Sequence, residues 1–88
     1  MPKIWVAVLH ISDRTAQKII NLHNIHPNEV RDALVCQSGL NAWTDWDENR
    51  GLRCIVEVYI RGQKGQAVIY PADDYDPDVF ALGSCYLY

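Results

Sequence analysis

The run from Leu52 to Ile60 constrains the fold of this chain more than any other stretch. Leu52, Cys54, Val56, Val58 and Ile60 alternate with Arg53, Ile55, Glu57, Tyr59 and Arg61, and a period of two puts the first set on one face of a strand and the second on the other. Such a strand needs a layer against its apolar face and further strands beside it. Gly62-Gln63-Lys64-Gly65 follows and reads as a four-residue hairpin loop. Closing that loop sets Arg61 opposite Gln66, Tyr59 opposite Val68 and Glu57 opposite Tyr70. It also pairs Ile60 with Ala67 and Val58 with Ile69, so that turn and pattern agree.

The remaining elements fall around this hairpin. Lys3 to Ile11, rich in Ile, Val and Trp, predicts a strand with both faces partly covered. Ser12 is a fit N-cap for the next segment, with Asp13 near the positive end of the helix dipole. Ala16, Ile19, Ile20 and His23 share one helix face, and Arg14, Gln17, Lys18, Asn21 and Asn24 take the other. A second helix starts at Pro27, with Glu29 in the capping-box position relative to His26, Ile25 and Val30 spaced as a hydrophobic staple, and Val30, Ala33 and Leu34 as its buried stripe. It should fade near Gln37-Ser38-Gly39. Leu40 to Asp47, carrying Trp43 and Trp46, reads as a strand ending in the turn-rich Asp47 to Gly51. Pro71 ends the second hairpin strand, the acidic loop Asp73 to Asp78 follows, and Val79 to Tyr88 reads as the last strand. The expectation is one α+β domain over residues 1–88, in the order β-α-α-β-β-β, with three or four strands after the helices. Its antiparallel sheet has two helices packed on one face, and Arg53, Glu57, Tyr59, Arg61 and Tyr70 project from the other.

Composition narrows the function. Hydrophobic residues at 49% and charged residues at 22% of 88 describe a globular chain rather than a disordered one. The formal net charge of -3 counts against a protein held on nucleic acid by phosphate contacts alone, although a local cluster of arginines can still make a positive face. Three cysteines without a CxxC pair, and no charged and apolar leader at the N-terminus, point to a reducing cytoplasm. No apolar run approaches the roughly 20 residues needed to span a bilayer. Neither a metal nor a cofactor is expected. The aspartates of 73–78 lack the Gly and distal Glu of a calcium loop, and His23, His26 and Glu29 lack a fourth ligand.

Two segments resemble the BrnT-type branch of the RelE/ParE toxin superfamily, small bacterial proteins encoded beside an antitoxin. Asn21-Leu22-His23-Asn24-Ile25 followed by Pro27-Asn28-Glu29-Val30 is similar to the family's "NLxKHG" helix end and "EEV" second helix. Asp45-Trp46-Asp47-Glu48-Asn49-Arg50-Gly51-Leu52-Arg53, leading into Val56-Glu57-Val58, is similar to its acidic turn and the arginine before its central strand. The closing segment Phe80 to Tyr88 carries no Lys or Arg, where the family closes on a basic strand and tail.

The resemblance implies a small RelE/BrnT-like fold and metal-independent cleavage of RNA, in which a 2′-hydroxyl attacks the adjacent phosphate. That chemistry asks for donors to the developing charge, a base and an acid. The resemblance offers Arg53 and Arg61 as donors, Glu57 as base, and His23 or Tyr70 as acid. Arg53 takes the scissile group, and Arg50, Tyr59, Arg61 and Lys64 contact RNA. The implied partners are a cognate antitoxin and RNA, with ribosome dependence and a homodimer left open, and no membrane. Plainer readings stand beside these. Arg53, Glu57 and Arg61 could form a solvated, mutually neutralising ladder, His23 a helix-end histidine, and Trp43 and Trp46 core or edge cover. The alternative function is a non-catalytic protein-binding module on the same scaffold.

Overall fold

Two consecutive residues in the left-handed region decide how the strongest strand pairs. The computed structural model describes residues 3–88; in it Arg61 (φ 53°) and Gly62 (φ 75°) form the connection between β4 (Gly51–Ile60) and β5 (Gln63–Pro71). Positive φ at both central residues marks the type I′ turn, whose twist matches that of the strands it joins. Glu57 therefore pairs with Gln66, Val58 with Gly65, and Tyr59 with Lys64. The four-residue loop read from the sequence is corrected, because Gln63, Lys64 and Gly65 belong to the strand and Glu57 does not face Tyr70. The register moves by an even number of residues, so Val58 and Ile60 keep their core-facing side and stay buried. Gly65 serves the next strand rather than the turn, since a Cβ there would lie 2.3 Å from the Tyr86 carbonyl oxygen.

On one side of this hairpin β3 (Leu40–Asp47) runs antiparallel to β4, and on the other β6 (Val79–Leu87) runs antiparallel to β5 with a bulge between Val68 and Ile69. The single N-terminal strand expected over Lys3 to Ile11 divides in two. β1 (Lys3–Ile4) pairs antiparallel with β3, and β2 (Val8–His10) pairs parallel with β6 at the far edge. Between them Val6 is fully buried and its carbonyl accepts from Cys36 N–H at 2.8 Å, which holds the crossover under the helices. The result is a mixed sheet ordered β1-β3-β4-β5-β6-β2, where the sequence predicted a purely antiparallel one.

α1 (Asp13–His23) opens on Ser12, whose hydroxyl accepts from Thr15 N–H at 3.2 Å, and closes on Asn24 in the left-handed conformation. α2 (Pro27–Leu34) opens with Glu29 accepting the His26 N–H at 3.0 Å. α1 packs mainly on β6 and α2 on β4, so both cover the same face of the sheet. Ile19, Ile25, Val30 and Leu34 from the helical segment meet Val56, Val58, Ile60, Ala67, Ile69, Leu82 and Cys85 from the strands in one continuous core. Each fully buried Val, Leu or Ile contributes on the order of 1.5–3 kcal/mol relative to exposure. The opposite face is not purely polar, since Ile55, Val68 and Tyr70 form a second small cluster capped by Trp43. No helix among the described residues is long and apolar enough to cross a membrane.

Two outcomes follow from this packing. Gly65→Ala should destabilise the fold by about 1–3 kcal/mol, because the clash is with backbone; chemical denaturation measures it, and an unchanged midpoint would mean that β5 and β6 are not so close. Burial pushes the Cys85 thiol up to about 11 and raises that of Cys54, while Cys36 is exposed. A thiol reagent at pH 8 should therefore label one cysteine in the folded protein and three after unfolding.

Candidate functional site

The corrected register assembles a cluster on the sheet face opposite the main core. One step beyond the pair Cys54 with Ile69, Arg53 on β4 comes opposite Tyr70 on β5. Asp45 on β3 is the cross-strand partner of Arg53 on the other side. The turn between β3 and β4 is ordered by Asp47, whose Oδ1 accepts the N–H of Asn49 at 2.8 Å and of Arg50 at 3.1 Å. Its Oδ2 accepts from the Tyr70 hydroxyl at 3.4 Å and lies 3.9 Å from Arg53 Nη1. Asp45 Oδ2 accepts from Arg53 Nη2 at 2.6 Å and Nε at 3.2 Å. Arg50, carried by the same turn, lays its guanidinium 3.8 Å from the centre of the Tyr70 ring, a geometry worth about 0.5–1 kcal/mol at an exposed site. Gly83 on β6 makes room for the ring, because a Cβ there would lie 2.5 Å from it.

Electrostatics follow from these contacts. The hydrogen bond from Arg53 holds the Asp45 carboxyl below the usual carboxylate range, with the Trp46 N–H helping. Asp47 is lowered first by the Asn49 N–H and also by Arg50 N–H, Tyr70 and Arg53. Asp45 in turn keeps Arg53 more firmly protonated. At neutral pH the cluster holds two carboxylates against Arg53, with Arg50 on the ring beside them.

The structure thus brings together three of the residues read from the sequence, Arg50, Arg53 and Tyr70. Glu57 lies on the same face but about 13 Å along the strand from Arg53 at the usual rise, and its carboxylate pairs with Lys64 Nζ at 3.3 Å. That contact holds Lys64 more firmly protonated. Arg61, expected on the strand face, sits in the turn, where it pairs with Glu29 at 3.1 Å and donates to the Asn24 carbonyl at 3.1 Å. Tyr59 is exposed beside Lys64. His23 ends α1 with its ring 5.9 Å from that of Tyr86 and does not join the cluster. Trp43 is half-buried cover for the outer cluster, whereas Trp46 is 68% exposed opposite Leu52.

Sequence reasoning passed over Asp45 and Asp47 as functional partners. The signal was present, since the turn residues 47–51 set Asp45 across from Arg53 once they close. Chemically the cluster offers cationic donors, a phenol and a carboxylate within reach of one another, which suits an anionic group after Arg53 exchanges its aspartates for it. The aspartates of the 73–78 loop serve their own backbone, Asp73 Oδ1 accepting from Tyr75 and Asp76 N–H, and Asp76 Oδ1 from Asp78 N–H. Among the described residues no three His, Cys, Asp or Glu side chains gather as a metal site. No family model, curated protein or solved structure matches the chain.

Because Asp45, Asp47 and Asp73 have folded-state values below their unfolded ones, the stability they contribute is present above the unfolded value of about 4 and is lost as pH falls through the lower folded values. Melting temperature should drop progressively below about pH 4. Asp45→Asn should flatten that drop, and an identical slope in the variant would remove the Arg53 pair as a cause.

Proposed function

We propose that the chain is the toxin component of a toxin–antitoxin pair, a metal-independent endoribonuclease of the RelE/BrnT kind that acts in the cytoplasm and is held by a cognate antitoxin. The observation that carries this reading is the convergence of Arg53, Arg50 and Tyr70 on the sheet face opposite the main core, next to a carboxylate. In this reading Arg53 neutralises the charge that develops on the phosphate as the 2′-oxygen attacks. Asp47 is the carboxylate near enough to receive the 2′ proton, in place of Glu57, and Tyr70 supplies the proton to the departing 5′-oxygen. The products are a 2′,3′-cyclic phosphate and a 5′-hydroxyl end. Lys64 and Tyr59, farther along the hairpin, contact flanking RNA in this reading.

The second reading, a non-catalytic module that binds a protein partner, is favoured by a different observation. Arg53, Glu57 and Arg61 are each already in ion pairs, with Asp45, Lys64 and Glu29 rather than with one another, so little of their charge is left unpaired. Induced expression with growth measurement and mapping of RNA ends separates the two. An active toxin arrests growth and leaves cyclic phosphate ends. Arg53→Ala should lower cleavage by roughly 100-fold or more, whereas Lys64→Ala should chiefly weaken binding. Folded wild-type protein that neither arrests growth nor cuts RNA would favour the binding module.

A further inference from the structure

Three of the chain's cations surround one cavity with no carboxylate among its walls. The cavity, about 390 Å³, lies between α1, the β3–β4 turn and β6, and is lined by Ser12, Arg14, Thr15, Lys18, Arg50 and Gly83. We propose that it is a phosphate-binding site that takes the terminal phosphate monoester of a nucleotide-sized ligand.

The ion pairs among the described residues use Arg53, Arg61 and Lys64. Arg31 donates to the Leu9 carbonyl outside this cavity. Among the described residues, the Arg14 side chain has no ion pair or hydrogen bond, Lys18 donates only to a neutral carbonyl, and Arg50 meets only a ring. In a chain with a net charge of -3, three of the four described Arg and Lys side chains left without an acid, Arg14, Lys18 and Arg50, line one cavity, and the fourth, Arg31, lies outside it. The mutual repulsion of the three is relieved by a bound anion.

The walls suit such a ligand in size and rigidity. The volume lies within the roughly 300–1,000 Å³ typical of small-molecule sites, large enough for more than an isolated phosphate. Two of the three cations are already held in place. Lys18 Nζ donates to the Gly83 carbonyl at 2.6 Å, and Arg50 is stacked on Tyr70 with Nη1 3.4 Å from where a Gly83 Cβ would stand. A side chain at Gly83 would displace both the ring and Arg50, so the missing Cβ keeps this side of the cavity open. The Ser12 and Thr15 hydroxyls, 3.1 Å apart, add polar groups at the wall. A monoester matches three cations better than a carboxylate or a backbone diester, because it carries close to two charges at neutral pH and three free oxygens. The site shares only Arg50 with the proposed cleavage cluster, and binding there does not depend on whether RNA is cut.

The test is an amide-resolved NMR titration of the full chain with inorganic phosphate, with adenosine 5′-monophosphate, and with a short oligoribonucleotide bearing either a 5′-phosphate or a 5′-hydroxyl. The expected result is a shift of the amides from Ser12 to Lys18 and at Gly83 with the mononucleotide. The phosphorylated oligonucleotide should also bind more tightly there than its hydroxyl form if RNA ends are the source; equal binding of the two with retained mononucleotide binding assigns the site to free nucleotides. Arg14→Ala should weaken mononucleotide binding roughly tenfold without moving the melting temperature, since that side chain supports nothing else, and Lys18→Gln gives a second loss. Absence of mononucleotide shifts, shifts with inorganic phosphate only, or unchanged affinity in folded Arg14→Ala would overturn the proposal. A protein that cuts RNA but fails these tests loses only this site, and one that binds the nucleotide without cutting RNA loses only the ribonuclease reading.

Discussion

The turn at Arg61 and Gly62 sets both the sheet and its attachment to the helices. Left-handed backbone at two successive positions closes the hairpin in two residues, and every pairing of β4 with β5 follows from that. The same Arg61 then reaches away from the sheet to Glu29 and to the Asn24 carbonyl. Glu29 also accepts the His26 N–H that opens α2. One carboxylate therefore joins the start of a helix to the tip of the central hairpin, and Asn24, where α1 ends, is held by the same guanidinium. The cluster of Arg53 and Tyr70 lies at the other end of that hairpin, so its geometry depends on a turn several residue pairs away.

Most of the fold can be read from the sequence because the signals are local and agree with one another. Period two in Leu52 to Ile60, the Ser12 and Pro27 helix starts and the apolar helix stripes each fix an element without reference to the rest. Pairings between distant segments could not be read this way. The turn depends on Arg61 accepting a positive φ, which a β-type alternation running through Arg61 conceals. Likewise Val8 to His10 has strand character but carries nothing that names β6 as a parallel neighbour. The site suffers accordingly. Arg53 and Tyr70 are identifiable as residue types worth attention, but which of them meet is a matter of register, and the correct register replaces Glu57 with the aspartates of β3.

Charge in this chain is distributed by backbone chemistry more than by total. Asp47 and Asp73 each accept two main-chain N–H groups in turns, and Asp76 accepts one. Much of the acidity thus stabilises bends, where a carboxylate is a compact acceptor. Other carboxylates, Asp45, Glu29 and Glu57, neutralise a guanidinium or ammonium group across strands or between helix and strand. A formal sum over the sequence misses this local separation, which leaves one side of α1 cationic in an acidic protein.

The parallel pairing of β2 with β6 has a consequence for how the chain reaches this structure. Val8, Leu9 and His10 meet Val79, Phe80 and Ala81, segments separated by nearly the whole described length. Closing so long a loop costs entropy before the contact returns anything, and such pairings slow folding relative to local hairpins. During synthesis β3, β4 and β5 emerge before β6 and can zip through short turns, while β2 and the helix that follows it, already made, wait for β6 to leave the ribosome. Until then the outer edge of β5 and the apolar side of α1 lack their permanent neighbour, and the nascent chain is open to capture by chaperones or by other strands.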